Sequence, residues 1–316
     1  MSGRVLVTGA SGFVGRSLVG ALARAGKPVR AATRNPAAFA PISGAEVVAV
    51  ADFRQRIDWA PLLIGVDAVV HVAGIAHIGA SVDPATYDRV IHLATADLAA
   101  TCAQAGVRRV VFVSSVRAQC GAAASQVLRE TDAAQPSEAY GRAKLQAEEA
   151  LRAGDLDWTI LRPTLVYGTG ARGNLASLLR LVDSPWPLPL ASFANRRSLL
   201  SVENLVGAIR FALGAPVTQC ETYLVADPHA LTLAEIVAAL RRGAGRPPRL
   251  FPFPPALFKA ALELAGRKDV WERLGGSLVV DPGKLMAAGW RPDADTRSAL
   301  VHMAAASLSP RAATRS

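Results

Sequence analysis

The chain has 316 residues, enough for one large or two small domains with a sizeable buried core. Its 51% hydrophobic and 19% charged residues exclude a disordered chain, and no uninterrupted apolar run reaches the length of a membrane helix. The net charge of +10 is scattered over pairs such as Arg108-Arg109, Arg196-Arg197 and Arg241-Arg242, which argues against a nucleic-acid stripe and fits anionic small-molecule ligands.

The first informative stretch is Val5-Leu-Val-Thr-Gly-Ala-Ser-Gly-Phe-Val-Gly15. A β-branched run ends at Thr8, glycines stand at 9, 12 and 15, and the apolar spacing then changes to a helical period. That predicts a strand, a tight turn and a helix N-terminus. Gly9 supplies unusual backbone angles, Gly12 admits a ligand to the main chain, and Gly15 lets helix and strand lie close. The free amides of the helix's first turn favour an anion such as a pyrophosphate.

Further short apolar runs at 29–33, 46–50, 68–71, 110–114 and 159–161 alternate with helical periodicity. This predicts an α/β fold: a Rossmann-type doubly wound parallel sheet with ligand sites at the strands' carboxyl ends. Past Arg162 prolines separate short helical segments, which predicts a smaller C-terminal substrate-binding lobe. The expected division is 1–162 with returning segments about 198–225 for the dinucleotide-binding domain, 163–197 and 226–305 for the lobe, and 306–316 for a frayed tail. Thr232-Leu-Ala-Glu235 has the pattern of a capping box. Cys102, Cys120 and Cys220 are odd in number and far apart, so they are expected as buried small residues rather than disulfides or metal ligands. Met1 leads directly into the first strand, and a cytoplasmic protein without signal peptide is expected.

The second informative stretch is Ser137-Glu-Ala-Tyr140-Gly-Arg-Ala-Lys144, helix-forming, with Ser137 a plausible cap. Tyr140 and Lys144 are four apart and share a helix face. A free tyrosine titrates at about 10; a nearby ammonium lowers that and suits the phenol to acid and base work. Val110-Val-Phe-Val-Ser114-Ser115 reads as a buried strand ending in two hydroxyls, of which Ser115 can hold a substrate oxygen beside Tyr140. Taken singly these residues read as a helix-face aromatic, a solvated charge and a strand-end cap; their conjunction with the glycine turn points to hydride-transfer chemistry.

With these motifs the sequence resembles the extended short-chain dehydrogenases/reductases of the NAD-dependent epimerase/dehydratase family. The resemblance runs through Thr8-Gly-Ala-Ser-Gly-Phe-Val-Gly15, Asp52-Phe53, His71-Val-Ala-Gly74, Val113-Ser-Ser115, Tyr140-Gly-Arg-Ala-Lys144, Leu161-Arg-Pro-Thr-Leu-Val-Tyr-Gly168, Arg197-Ser-Leu-Leu-Ser-Val202 and Gly289-Trp290. It implies a catalytic Ser115, Tyr140 and Lys144, with Lys144 also on the nicotinamide ribose. It implies a cofactor site of Gly9, Ser11, Gly12, Phe13, Val14 and Gly15, with Asp52 and Phe53 at the adenine, Ala73 and Gly74 along the cofactor, and Pro163 near the nicotinamide. Asn174 and Arg197 match positions that hold a substrate diphosphate.

The sequence departs from the family pattern at three places. Thr33 and Arg34 stand where NAD-binding members carry an acid for the ribose hydroxyls, which predicts NADP(H) used at least as well as NAD(H). Ile91, followed by His92, replaces a helix asparagine that supports a proton path to the lysine. Val116 and Arg117 replace the acidic pair of the 4,6-dehydratases, which argues against dehydration, and Cys120 is displaced from the epimerase-reductase position. Bacterial surface-polysaccharide proteins, including UDP-glucose 4-epimerases and UDP-4-keto-6-deoxy-N-acetylhexosamine C4 reductases, are the most similar members. The expected activity is therefore a 4-ketoreductase or 4-epimerase acting on a UDP-hexose or UDP-N-acetylhexosamine, with Arg117 at the sugar. The alternatives are a 3β-hydroxysteroid-like alcohol dehydrogenase and a non-catalytic dinucleotide-binding regulator. The resemblance also implies a homodimer paired through the helical surfaces over 84–105 and 137–153, whose alanines permit close helix approach or pack on the sheet.

Overall fold

Strands β1 (Val5–Thr8), β2 (Val29–Thr33), β4 (Ala68–His71) and β5 (Arg109–Val113) are buried at every position, as a sheet covered on both faces requires. Only β3 (Ala45–Ala49), at the sheet edge, keeps exposed positions. With β6 (Asp157–Pro163) and β10 (Glu221–Val225) they form one seven-stranded sheet, ordered β10-β6-β5-β4-β1-β2-β3 and parallel throughout. The computed structural model describes residues 3–75, 82–171, 174–266, 271 and 275–308, without the side chains of 174–176 and 261.

Strand alternation feeds two cores. Val5, Val7, Ala31, Val70 and Val111 face α1 (Phe13–Arg24) and α7 (Val202–Gly214), while Leu6, Ala32, Val69, Val110 and Phe112 face α4 (Ala94–Gln104) and α5 (Ala139–Arg152). A separate cluster joins Tyr167, Phe193, α8 (Leu233–Gly243) and the helix Thr296–Leu308, and is the core of the smaller region. Thr232 and Glu235 close the expected capping box at the start of α8.

The expected strands are all present: 29–33 and 68–71 have the expected ends, 46–50 and 110–114 are shifted by one residue, and 159–161 extends by two at each end. Three local expectations are corrected. Helix α5 begins at Ala139 behind Glu138, with no side-chain cap, so Ser137 is not the cap; its carbonyl accepts from Arg142 instead. Cys102 and Cys120 are buried but Cys220 is exposed, on a turn at φ +54° before β10. The helix from Thr296 continues to Leu308, past the expected start of the frayed tail, and 309–316 lie outside the described residues.

Gly15 sets how closely α1 can approach β1. A Cβ there would lie 2.2 Å from the Gly9 carbonyl oxygen, backbone that cannot swing aside. Gly15→Ala is expected to lower stability by about 2 kcal/mol and to weaken dinucleotide binding in parallel, read by thermal denaturation and NADH fluorescence titration.

Candidate active site

Because the strands are parallel and in register, Thr8 beside His71 and Val113 beside Leu161, their carboxyl ends share one edge. The glycine turn opens that edge. Gly9 sits at φ +66°, and a Cβ on it would lie 2.8 Å from the Ala73 backbone, so only glycine fits. Gly12 precedes α1 in extended backbone with no side-chain cap, and the helix's first turn carries no acid. Its amides are left for an anion. A bracket missed from the sequence joins turn and loop: the Ala73 amide donates to Thr8 Oγ1 (3.3 Å), which also bonds His71 Nδ1 (2.8 Å). Burial, then the Lys144 charge, bring His71 down to about 3, so the ring is neutral and structural.

At the adenosine end Thr33 is buried, and Arg34 leans on Asp52 at 3.7 Å, as Arg54 does at 3.9 Å. The two expected cofactor residues Arg34 and Asp52 are thus brought together. Phe53 behaves differently: its ring is buried, edge-on to Trp59 at 5.5 Å, so any cofactor contact from this position falls to backbone. Pro163 ends β6 on the same edge, and Gly74 lies beside Lys144.

Of the three expected catalytic residues, Ser115 and Tyr140 are hydrogen-bonded and Lys144 follows Tyr140 by one turn on α5. Ser115 follows β5 and caps a short turn by accepting from the Arg117 amide (3.1 Å), and its side chain hydrogen-bonds Tyr140. Lys144 is buried, donates to the Val113 carbonyl at 2.9 Å and stands 4.6 Å from the centre of the Phe112 ring. Burial brings this ammonium down to about 8, against the Glu148 charge that raises it. Burial also raises the Tyr140 phenol; the Ser115 hydrogen bond, then the Arg117 charge, are what pull it down. The expected lowering of Tyr140 by Lys144 is therefore corrected: Arg117 supplies that charge, because Lys144 is spent on the strand end.

Tyr87, on the short helix α3 (Pro84–Tyr87), meets the Tyr140 ring edge-to-face at 6.0 Å. It was not singled out from the sequence, where only the Asp83-Pro84 start signal marks its helix. Asp88–Leu93 continues as a π-turn with Ile91 buried, and His92 bonds Asp88 at 2.8 Å rather than reaching the lysine.

Toward the smaller region, burial and then the charge of Arg117 lower the Arg197 guanidinium. Arg117 is paired with Glu138. Arg197 lies in β8 (Arg196–Arg197), beside Leu231 and Leu278, and its Nε and Nη2 are buried without a partner. A guanidinium with two buried, unpartnered nitrogens is suited to a phosphate group. Asn174 opens α6 (Asn174–Val182), but its side chain lies outside the described residues. Among the described residues no histidine, cysteine or carboxylate cluster has the arrangement of a metal site, and no helix is long and apolar enough to cross a membrane.

A family model described as NAD dependent epimerase/dehydratase family matches residues 5–226. The chain is 34% identical to a UDP-glucose 4-epimerase of Vibrio cholerae, over 91% of this chain and 90% of that protein. It is 28% identical to the N-acetyl-alpha-D-glucosaminyl-diphospho-ditrans,octacis-undecaprenol 4-epimerase of Escherichia coli O157:H7, over 80% of this chain and 77% of that one. A solved structure of MoeE5 in complex with UDP-glucuronic acid and NAD is similar with a TM-score of 0.78 and 25% identity, covering 98% of this chain and 100% of that one.

Tyr140→Phe removes the phenol hydroxyl that Ser115 bonds and leaves the glycine turn untouched. Turnover is expected to fall by at least about 10³-fold while the NADH dissociation constant stays within about twofold, measured by steady-state kinetics and fluorescence titration.

Proposed function

The chain belongs to the NAD dependent epimerase/dehydratase family, and on that premise we propose that it interconverts C4 epimers of a UDP-hexose or UDP-N-acetylhexosamine. The observation that carries this reading is Arg197, whose Nε and Nη2 are buried and unpartnered and which feels the charge of Arg117, as the Ser115-bonded Tyr140 also does. It fits a diphosphate, and a sugar attached to that diphosphate extends toward the phenol. The names of the Vibrio cholerae and Escherichia coli relatives and the UDP-sugar held by MoeE5 point the same way.

The dinucleotide fits the edge described: the glycine turn and the free amides of α1 suit its pyrophosphate, and Lys144 with Gly74 suits its nicotinamide end. When bound it supplies the hydride acceptor and donor. Ser115 orients the C4 oxygen, and Tyr140 takes its proton as C4 becomes a carbonyl, then returns it when C4 is reduced on the other face. Lys144, as the ammonium, holds the end of β5, while the Ser115 hydrogen bond and the Arg117 charge favour the phenolate form during that exchange.

Thr33 favours a second reading. With no carboxylate at the end of β2 to fix the ribose hydroxyls, an exchangeable dinucleotide and net C4 ketoreduction are also compatible with this site. Incubation with a panel of UDP-sugars and UDP-4-keto sugars separates the two. Epimer formation without consumption of added NADH is expected; stoichiometric NADH loss with a 4-keto sugar assigns the ketoreductase instead, and the absence of both reactions overturns both readings.

Arg197→Met is expected to weaken UDP binding about 100-fold, about 3 kcal/mol, by calorimetry. The same substitution should raise the melting temperature, because it removes a buried cation that has no counter-charge. At the other end of the cofactor, Asp52 occupies both Arg34 and Arg54. Asp52→Asn should strengthen NADPH binding relative to NADH by about fivefold, since these part-exposed pairs are worth no more than about 1 kcal/mol each.

A further inference from the structure

Behind the catalytic trio lies a buried polar cross that the proton chemistry above does not use. Glu148, one turn beyond Lys144 on α5, is fully buried. It accepts from Ser114 Oγ at 2.5 Å, from Arg162 Nε at 2.9 Å and Nη2 at 2.6 Å, and from Arg152 Nη2 at 2.9 Å. Arg162 also donates to Gln119 Oε1 at 2.8 Å, and Gln119 in turn donates to the carbonyls of Arg129 (2.5 Å) and Asp132 (3.2 Å).

The cross ties together the elements that carry the reacting groups. Ser114 adjoins Ser115 at the end of β5, Glu148 shares the helix with Tyr140 and Lys144, and Arg162 adjoins Pro163 at the end of β6. Gln119 closes the loop that contains Arg117. We propose that Glu148 is a positioning residue for catalysis, fixing Ser115 through Ser114 and keeping Lys144 in its charged form beside the Val113 carbonyl.

A purely structural ion pair would need only one arginine. Here a single carboxylate receives two guanidiniums and a serine hydroxyl, and the serine belongs to the strand that Lys144 also binds. The groups facing the ammonium are few. His71 on β4 is neutral, Tyr140 precedes it by one turn on α5, and Glu148 follows it by one turn. Arg162 and Arg152 are both paired to Glu148, and Arg117 is paired to Glu138. Glu148 is therefore the negative charge that offsets the desolvation of Lys144.

The proposal rests on Tyr140 and Lys144 forming the catalytic pair, and not on the identity of the sugar. Its primary test accordingly needs no substrate: the titration of Lys144 followed by carbon-13 NMR of ε-labelled lysines, assigned by loss of the signal in Lys144→Met. In the unsubstituted protein the midpoint is expected near 8, and in Glu148→Gln about one unit lower. The alkaline limb of turnover should move down by the same amount, since activity is lost as Lys144 deprotonates. Glu148→Asp, which keeps the charge, should restore the midpoint. An unchanged midpoint in a Glu148→Gln protein with native circular dichroism and NADH affinity overturns the proposal. If Glu148→Gln does not fold, Ser114→Ala carries the test. Turnover about tenfold lower, with unchanged NADH affinity and an unchanged Lys144 midpoint, is then expected, and undiminished turnover overturns the proposal.

Discussion

A buried ammonium at the end of a parallel strand is the constraint around which this molecule is built. Removed from water, such a group tends to lose its proton, and Lys144 is already brought down to about 8. It stays cationic near neutrality because a carbonyl, an aromatic face and a carboxylate surround it. Those three can reach it only if α5 lies tight against β5, and the helix is made for that. Ala143 and Ala147 are buried on its inner face, and a Cβ on Gly141 would lie 2.2 Å from the Arg117 carbonyl oxygen. Small residues in this stretch are thus what lets the helix reach the strand end that Lys144 binds.

The cleft treats its cations in opposite ways. Lys144 is compensated from several directions, whereas Arg197 is held without any counter-charge on two of its nitrogens. A desolvated, unpaired guanidinium destabilises the free protein, and that free energy is recovered only when an anion arrives. Arg197 is placed by the backbone rather than by partners: it sits in a two-residue strand against Leu231 and bridged to Leu278, segments far apart in sequence. Binding of a diphosphate there would act on the arrangement of those segments as well as on one side chain.

The fold was legible in the sequence because its signals are local. β-branched runs, a glycine turn and a capping box each fix a short piece of backbone, and each recurs in the structure. The catalytic trio was legible for the same reason, as spacing on one helix and one strand end. What escaped was long-range. Glu148 and Arg162 were given no role, because nothing local shows that two residues fourteen apart will pair at 0% and 4% exposure. The source of the field on Tyr140 escaped likewise. Helical spacing made Lys144 the obvious cation, but its Nζ turns to Val113 and leaves that part to Arg117, whose position depends on a turn after β5.

The same geometry also says where epimerase and reductase chemistry diverge. On the proposed mechanism both use Tyr140 to exchange one proton with the oxygen on C4, and neither asks anything different of Ser115 or Lys144. The difference lies in whether the dinucleotide outlasts a turnover, which is a matter of its dissociation rate. At the adenosine end the chain offers part-exposed ion pairs among Arg34, Asp52 and Arg54, each worth no more than about 1 kcal/mol. Retention must then come from the glycine turn and the α5 face, where burial makes each contact stronger. Changes at the adenosine end can accordingly convert one outcome into the other without touching the proton chemistry, so the catalytic residues by themselves do not define the reaction class of this site.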